Sequence, residues 1–207
     1  MFSCCRVEVP VVEEVQKAQA LSSEQRPEAV ELIPETPEFG IFTVQLRPDS
    51  SMGIEVDATT PTKPMIKALK PGAASKLNEL SPGSIQVYDV VVAINGAEDW
   101  EAKKAKMEGD MDEKVILKLH RPKKLAIFLK KTGGLGMKLD YTSTSLGAVI
   151  GEIHPDGLMQ KWNNENKGIA LQEGDRLIEF EWTLCKGTEL LNHIKVRENL
   201  ELTALKY

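Results

Sequence analysis

One order of short segments is written twice along this chain of 207 residues. Gly53 and Gly136 each lead into an alternating apolar–polar run, and they lie 83 residues apart. Asp89 and Asp175 each open an apolar run, and they lie 86 residues apart. Val115 and Leu200 each open a final apolar segment, 85 residues apart. Three markers that agree on one period point to a duplicated unit rather than one continuous fold. Each copy is close to the smallest size that buries a core of its own.

The first copy reads as short strands and two helices. Ile41–Leu46 is a strand signal, and Arg47-Pro48-Asp49-Ser50 is turn chemistry. Met52–Asp57 alternates, Met65–Leu69 is a short apolar stretch, and Ala73–Leu80 has helical character. Asp89–Ile94 is almost continuously apolar, as a strand covered on both faces would be, and it ends in the turn pair Asn95-Gly96. Trp100–Glu108 reads as a helix and Val115–Leu119 as the closing strand. The second copy repeats this order: Leu125–Leu129, Gly136–Asp140, Ala148–Ile153, a helix from Leu158, Arg176–Ile178, a helix over Thr188–Val196, and Leu200–Leu205.

Charge separates the repeats from what precedes them. The chain carries a formal −5. Residues 1–40 hold eight acids and three bases, which accounts for all of it; the remainder holds 23 of each. With Pro10, Pro27, Pro34 and Pro37, this stretch reads as a flexible, disordered acidic segment, with one short helix signal over Val12–Leu21. The whole chain is 42% hydrophobic and 28% charged, too apolar for a wholly disordered protein. No basic excess points to nucleic acid, and no apolar run approaches a membrane span of about 20 residues.

The three cysteines, Cys4, Cys5 and Cys185, form no disulfide framework and no zinc spacing, so a cytoplasmic setting is expected. Cys4 and Cys5 are candidates for acylation, which would associate the chain with a membrane; Phe2 excludes N-myristoylation. No catalytic motif, cofactor fingerprint or metal-ligand set is found, and no enzyme activity is expected.

Three blocks, each present twice in the same order, resemble the PDZ domain. The first is Ser51-Met52-Gly53-Ile54 and Gly134-Leu135-Gly136-Met137. The second is Pro71-Gly72-Ala73-Ala74 and Pro155-Asp156-Gly157-Leu158. The third is Tyr88-Asp89-Val90-Val91 and Gly174-Asp175-Arg176-Leu177. The resemblance implies an α+β fold of two small, partly open antiparallel β-barrel or sandwich domains, each with a pair of helices. They would span 41–121 and 124–207, after the acidic segment 1–40.

It also implies a site. The two glycine loops would offer backbone N–H groups to a peptide's terminal carboxylate, and the peptide would add a strand to the sheet. Arg47 in the first copy, and Lys130 or Lys131 in the second, would assist the carboxylate. The groove's helix wall would carry Trp100 and Lys104 in one copy and Gly187 and Leu191 in the other. Histidine, the hydroxyl reader at the helix start, stands at neither position. Ser51 replaces a glycine, and Phe180-Glu181-Trp182 replaces the Asn-Gly turn, so an altered first loop and a differently seated second helix are expected.

The expected function is a non-enzymatic scaffold that binds C-terminal or internal extended segments of other proteins, not nucleic acid. The alternative is a membrane-tethered organiser whose units associate with each other or meet anionic lipid through Lys103, Lys104, Lys106, Arg121, Lys123 and Lys124. The spacer His120–Lys124 is short, which predicts that the two units dock as one body.

Overall fold

The computed structural model describes residues 37–48, 51–108 and 114–207. The acidic segment, apart from its last four residues, lies outside the described residues, as do Cys4 and Cys5. The first unit runs β1 (Gly40–Leu46), β2 (Ile54–Asp57), β3 (Met65–Leu69), α1 (Ala73–Leu80), β4 (Val90–Ile94), α2 (Trp100–Glu108) and β5 (Val115–Arg121). The second runs β6 (Lys123–Lys130), β7 (Met137–Asp140), β8 (Ala148–Ile153), α3 (Leu158–Glu165), a 3-10 turn, β9 (Arg176–Phe180), β10 (Thr183–Leu184), α4 (Gly187–Val196) and β11 (Asn199–Lys206). The sheets are antiparallel, in the orders β1-β5-β4-β3-β2 and β6-β11-β9-β8-β7, with β10 beside β9. The two orders correspond strand for strand, which is the duplicated α+β architecture implied by the PDZ resemblance.

Alternation explains which faces are covered. Along β5, Val115, Leu117 and Leu119 are buried while Ile116 and Lys118 are exposed; along β6, Leu125, Ile127 and Leu129 are buried. These residues build one aliphatic core per unit, with Leu46, Ile66, Val91 and Ile94 in the first and Ile150, Met159, Leu177 and Leu202 in the second. Asp99 caps α2 by accepting the N–H groups of Glu101 and Ala102 (2.9 and 3.1 Å).

The five-residue spacer is absorbed into the sheets. Arg121 pairs with Gly40 at the end of β5, and Lys123 pairs with Lys206 at the start of β6, leaving Pro122 alone between the strands. Pro122 has no N–H to give either ladder, so it suits that break. A third buried cluster joins the units: Met65 and Val90 from the first, Ile178 and Leu205 from the second, edged by Tyr88, Leu146 and Tyr207. Beside it, Arg176 Nη1 donates to Asp57 Oδ2 (2.8 Å), with both side chains 3% exposed. The same carboxylate oxygen accepts the Leu146 N–H (2.8 Å), and Oδ1 accepts the Thr59 N–H (2.9 Å).

Tyr88 belongs to the same junction. It holds φ at +83°, matching +84° at Gly174 in the second unit. A bulky residue there is strained. In exchange its ring edges the cluster between the units and lies 4.7 Å beneath the Lys124 ammonium.

One turn keeps its backbone despite a change of residues, and one expectation, that of basic faces, is corrected. Glu181 and Trp182 take φ values of +48° and +63°, beside +47° and +78° at Asn95 and Gly96. The turn keeps its shape despite the change of residues, because the Thr183–Phe180 and Leu184–Glu179 pairs hold it closed. The basic runs are also not continuous charged faces. Arg121 is buried in a two-bond pair with Asp89 (2.9 Å each), and Lys103 is 1% exposed. Lys103 turns inward because α2 has no large apolar side chain at that position, and its Nζ donates to the carbonyls of Val91 (3.1 Å) and Val92 (3.4 Å).

Burial pushes the Lys103 pKa down, and nearby Asp99 and Glu98 offset only part of this. The charged form is therefore disfavoured in the fold. Stability should rise with pH from the lowered folded value up to the unfolded value of about 10.4, where only the unfolded chain holds the proton. Urea midpoints compared at about pH 8 and pH 10 check this, and Lys103→Met should flatten the difference.

Candidate peptide groove

In both units the glycine loop turns its carbonyls toward the first helix. Met52 O accepts from Ala74 N–H (2.9 Å), and Gly53 O from Lys70 N–H (2.8 Å). In the second unit Leu135 O accepts from Met159 N–H (2.9 Å), and Gly136 O from His154 N–H (2.8 Å). With the carbonyls tied inward, the N–H groups of Met52, Gly53, Leu135 and Gly136 donate to no acceptor among the described residues. Successive free N–H groups of this kind make an anion site.

The loops need their second glycine. Gly53 and Gly136 sit at φ +70° and +67°, a region that favours glycine. Each also touches the glycine that opens the helix. A Cβ on Gly53 would lie 2.5 Å from Lys70 O and 3.0 Å from Gly72 Cα, and one on Gly136 would collide with Gly157 Cα. This contact is the physical reason for the paired Pro71-Gly72 and Pro155-Asp156-Gly157 blocks, which sequence reading noted without linking them to the loop. The first glycine is different. A Cβ on Gly134 meets nothing within 4 Å and its φ is not left-handed, so Ser51 fits the equivalent place without strain. The Ser51 hydroxyl donates to Pro71 O (3.4 Å).

Each loop runs into a sheet edge. β2 and β7 are terminal in their sheets, so among the described residues each has one side without a strand partner. Met52 and Leu135 are buried in the cores, while Ile54 and Met137 are half-buried and packed against them. On β2, Lys67 and Lys70 bond the Glu55 carboxylate (2.8 and 2.5 Å) and hold its pKa at about 2.

The other candidates are scattered around this frame. Arg47 is exposed at the end of β1, and Lys130 is exposed at the end of β6. Lys131 is committed elsewhere: its Nζ donates to Ile194 O and Lys195 O (2.7 Å each), satisfying the last turn of α4. Trp100 is half-buried at the start of α2, and Lys104 is exposed. Leu191 of α4 is half-buried against the core, and Gly187 is buried at the helix start. Sequence reading missed what covers Gly187, namely Tyr141, Ser145 and Gly147 from the β7–β8 loop. Only the helix-start glycine itself hinted at so close an approach. Cys185 is buried. Among the described residues no group of three His, Cys, Asp or Glu is placed to hold a metal, and no helix is long and apolar enough to cross a membrane.

No family model matches the chain, and no curated protein matches it. Among solved structures, it is similar to INAD PDZ45 in complex with NG2 peptide, at 16% identity, with 88% of this chain and 95% of that one covered and a TM-score of 0.34. It is also similar to the complex of INAD PDZ45 and NORPA CC-PBM, at 18% identity, with 81% and 92% covered and a TM-score of 0.33.

Proposed function

We propose that this tandem of two PDZ-like units is a peptide-binding scaffold, taking extended segments of partner proteins beside β2 and β7. The observation that carries the reading is the pairing, twice over, of a loop whose N–H groups meet no acceptor and a strand whose edge meets no strand among the described residues. A terminal carboxylate would accept from the loop, and the residues before it would pair with the edge strand. The apolar groups of Ile54 and Met137, with Leu191 on the facing helix, would receive the last side chain. Two such sites on one docked body raise avidity for paired tails.

The carboxylate is the testable part. Peptides selected from a library with free C-termini should lose at least about tenfold in affinity when the terminus is amidated, since a charge-assisted bond is exchanged for a neutral one. Titration calorimetry reads the difference. Equal affinity of acid and amide forms would remove the carboxylate from the account.

A further inference from the structure

Two large rings stand bare on the outer face of the second unit's sheet. Phe128 of β6 is 59% exposed, and Trp182, in the turn after β9, is 64% exposed. Their ring centres lie 6.4 Å apart at an interplanar angle of 59°, so each ring braces the other. The first unit covers one end of this face through Ile178 and Leu205. The end that carries the rings stays open to solvent.

The fold requires neither ring. Phe128 pairs with Glu201, and Glu181 N–H donates to Glu201 O (2.9 Å). In the first unit Gln45 pairs with Ile116, and Asn95 N–H donates to Ile116 O (2.9 Å). The same frame there holds Gln45 where Phe128 stands and Gly96 where Trp182 stands. Trp182 also strains the turn, because its φ of +63° lies where glycine is favoured, beside +78° at Gly96. Tyr88 is strained in the same way, but packing at the junction offsets it. A strained tryptophan whose ring is left largely in water gains no such packing, and strain of this kind marks a functional position.

Charge decides what fits. Glu201 lies directly across from Phe128, Glu179 lies across from Thr203 and Leu184, and Glu181 adjoins Trp182. None of the three carboxylates makes an ion pair among the described residues. Of the bases that β6 sends to this face, Lys124 lies over the Tyr88 ring (4.7 Å) at the covered end, and Lys130 stands at the strand's end opposite Asn199. Rings with acidic neighbours attract a cation, which sits over a ring face while the carboxylates accept its hydrogen bonds. A planar guanidinium stacks and forks to carboxylate at once, which a compact ammonium does not. The same carboxylates repel an anionic lipid surface, so the rings do not mark a membrane contact.

We propose that this open end of the sheet docks a basic segment of a partner protein, with an arginine side chain laid against the Trp182 and Phe128 rings and its guanidinium held by Glu181 and Glu201. The surface lies on other strands than the peptide groove and belongs to the second unit alone.

The test uses the full chain, isotope-labelled, and a peptide of glycines and three arginines, acetylated and amidated so that its ends play no part. The Trp182 indole N–H and the Phe128 and Glu201 amides are followed. These signals should move with an affinity at least about tenfold tighter than for the same peptide carrying citrulline, which keeps arginine's shape without its charge. Trp182→Gly should weaken the arginine peptide at least about tenfold at the Phe128 and Glu201 amides, without lowering the urea midpoint, since glycine suits that backbone. Glu181→Gln with Glu201→Gln should weaken it by a similar factor with both rings in place. Citrulline binding as tight as arginine, an unmoved Trp182 indole at millimolar arginine peptide, or movement confined to the β7 amides overturns the proposal. Undiminished binding by Trp182→Gly or by the double glutamine variant overturns it equally.

Discussion

Asp57→Ala is expected to destabilise the chain by about 3–5 kcal/mol, because it strands the Arg176 guanidinium in a buried site. It also removes the acceptor for the Leu146 and Thr59 N–H groups, which tie the β7–β8 loop and the β2–β3 turn to the same carboxylate. The loss should appear as uncoupling. The unfolding of 40–121 should separate from that of 123–206 in a calorimetric scan, since what then joins them is Pro122, the cluster around Met65, Val90, Ile178 and Leu205, and the ring contacts of Lys63 and His120 with Tyr207 and of Lys124 with Tyr88. Removing both partners, as Asp57→Ala with Arg176→Met, should recover part of the loss, because no unpaired charge is then buried.

The same pair sets an acid limit. Burial alone would raise the Asp57 pKa, but Arg176 and the two N–H donors outweigh it, and the folded value is lowered. A lowered carboxylate contributes stability that is complete above the unfolded value of about 3.9 and fades as pH falls through the folded value. Denaturant midpoints followed below pH 4 should therefore drop for the native chain, and this component should be missing in Asp57→Ala.

Gly136→Ala is the second large effect. The residue sits at φ +67° and its new Cβ would collide with Gly157 Cα. The left-handed backbone alone costs about 1–2 kcal/mol for a residue with a Cβ, and the loop must then move off α3. Displacing the loop moves the Leu135 and Gly136 N–H groups, so free-tail binding at the second unit should fall by at least about tenfold. Gly134→Ala is the matched control: the added Cβ meets nothing within 4 Å and the backbone is not left-handed. It should leave stability and binding within about threefold of the native chain. Equal effects of the two substitutions would mean that the loop geometry does not matter to binding.

Much of the fold could be read from local pattern. The repeat period, the bounds of α1 and α2 and the two glycine loops all follow from short-range signals: turn residues, alternation and helical spacing. The features that needed coordinates depend on distant partners. Asp57 and Arg176 are 119 residues apart and each looks like an ordinary surface charge in its own segment. Lys103 reads as part of a basic run, yet β4 carbonyls draw its ammonium inward. His120, Arg121, Lys123 and Lys124 read as a spacer, but Gly40 and Lys206 extend the ladders into them. Ser51 looks like a departure from the loop's pattern until the empty space at Gly134 shows that a side chain is tolerated there. The seating of Tyr141 on Gly187 leaves only a glycine at a helix start as its local trace.

The central claim is that a partner's chain end docks through loop N–H groups and extends a sheet edge. Amide hydrogen exchange on the full chain, with a selected free-tail peptide and its amidated twin, tests it most directly. The free tail should slow exchange at Met52 and Gly53 or at Leu135 and Gly136, together with the outward amides of β2 or β7, and the amidated twin should not at equal concentration. Protection confined to other surfaces, or the same protection from both peptides, would contradict the account.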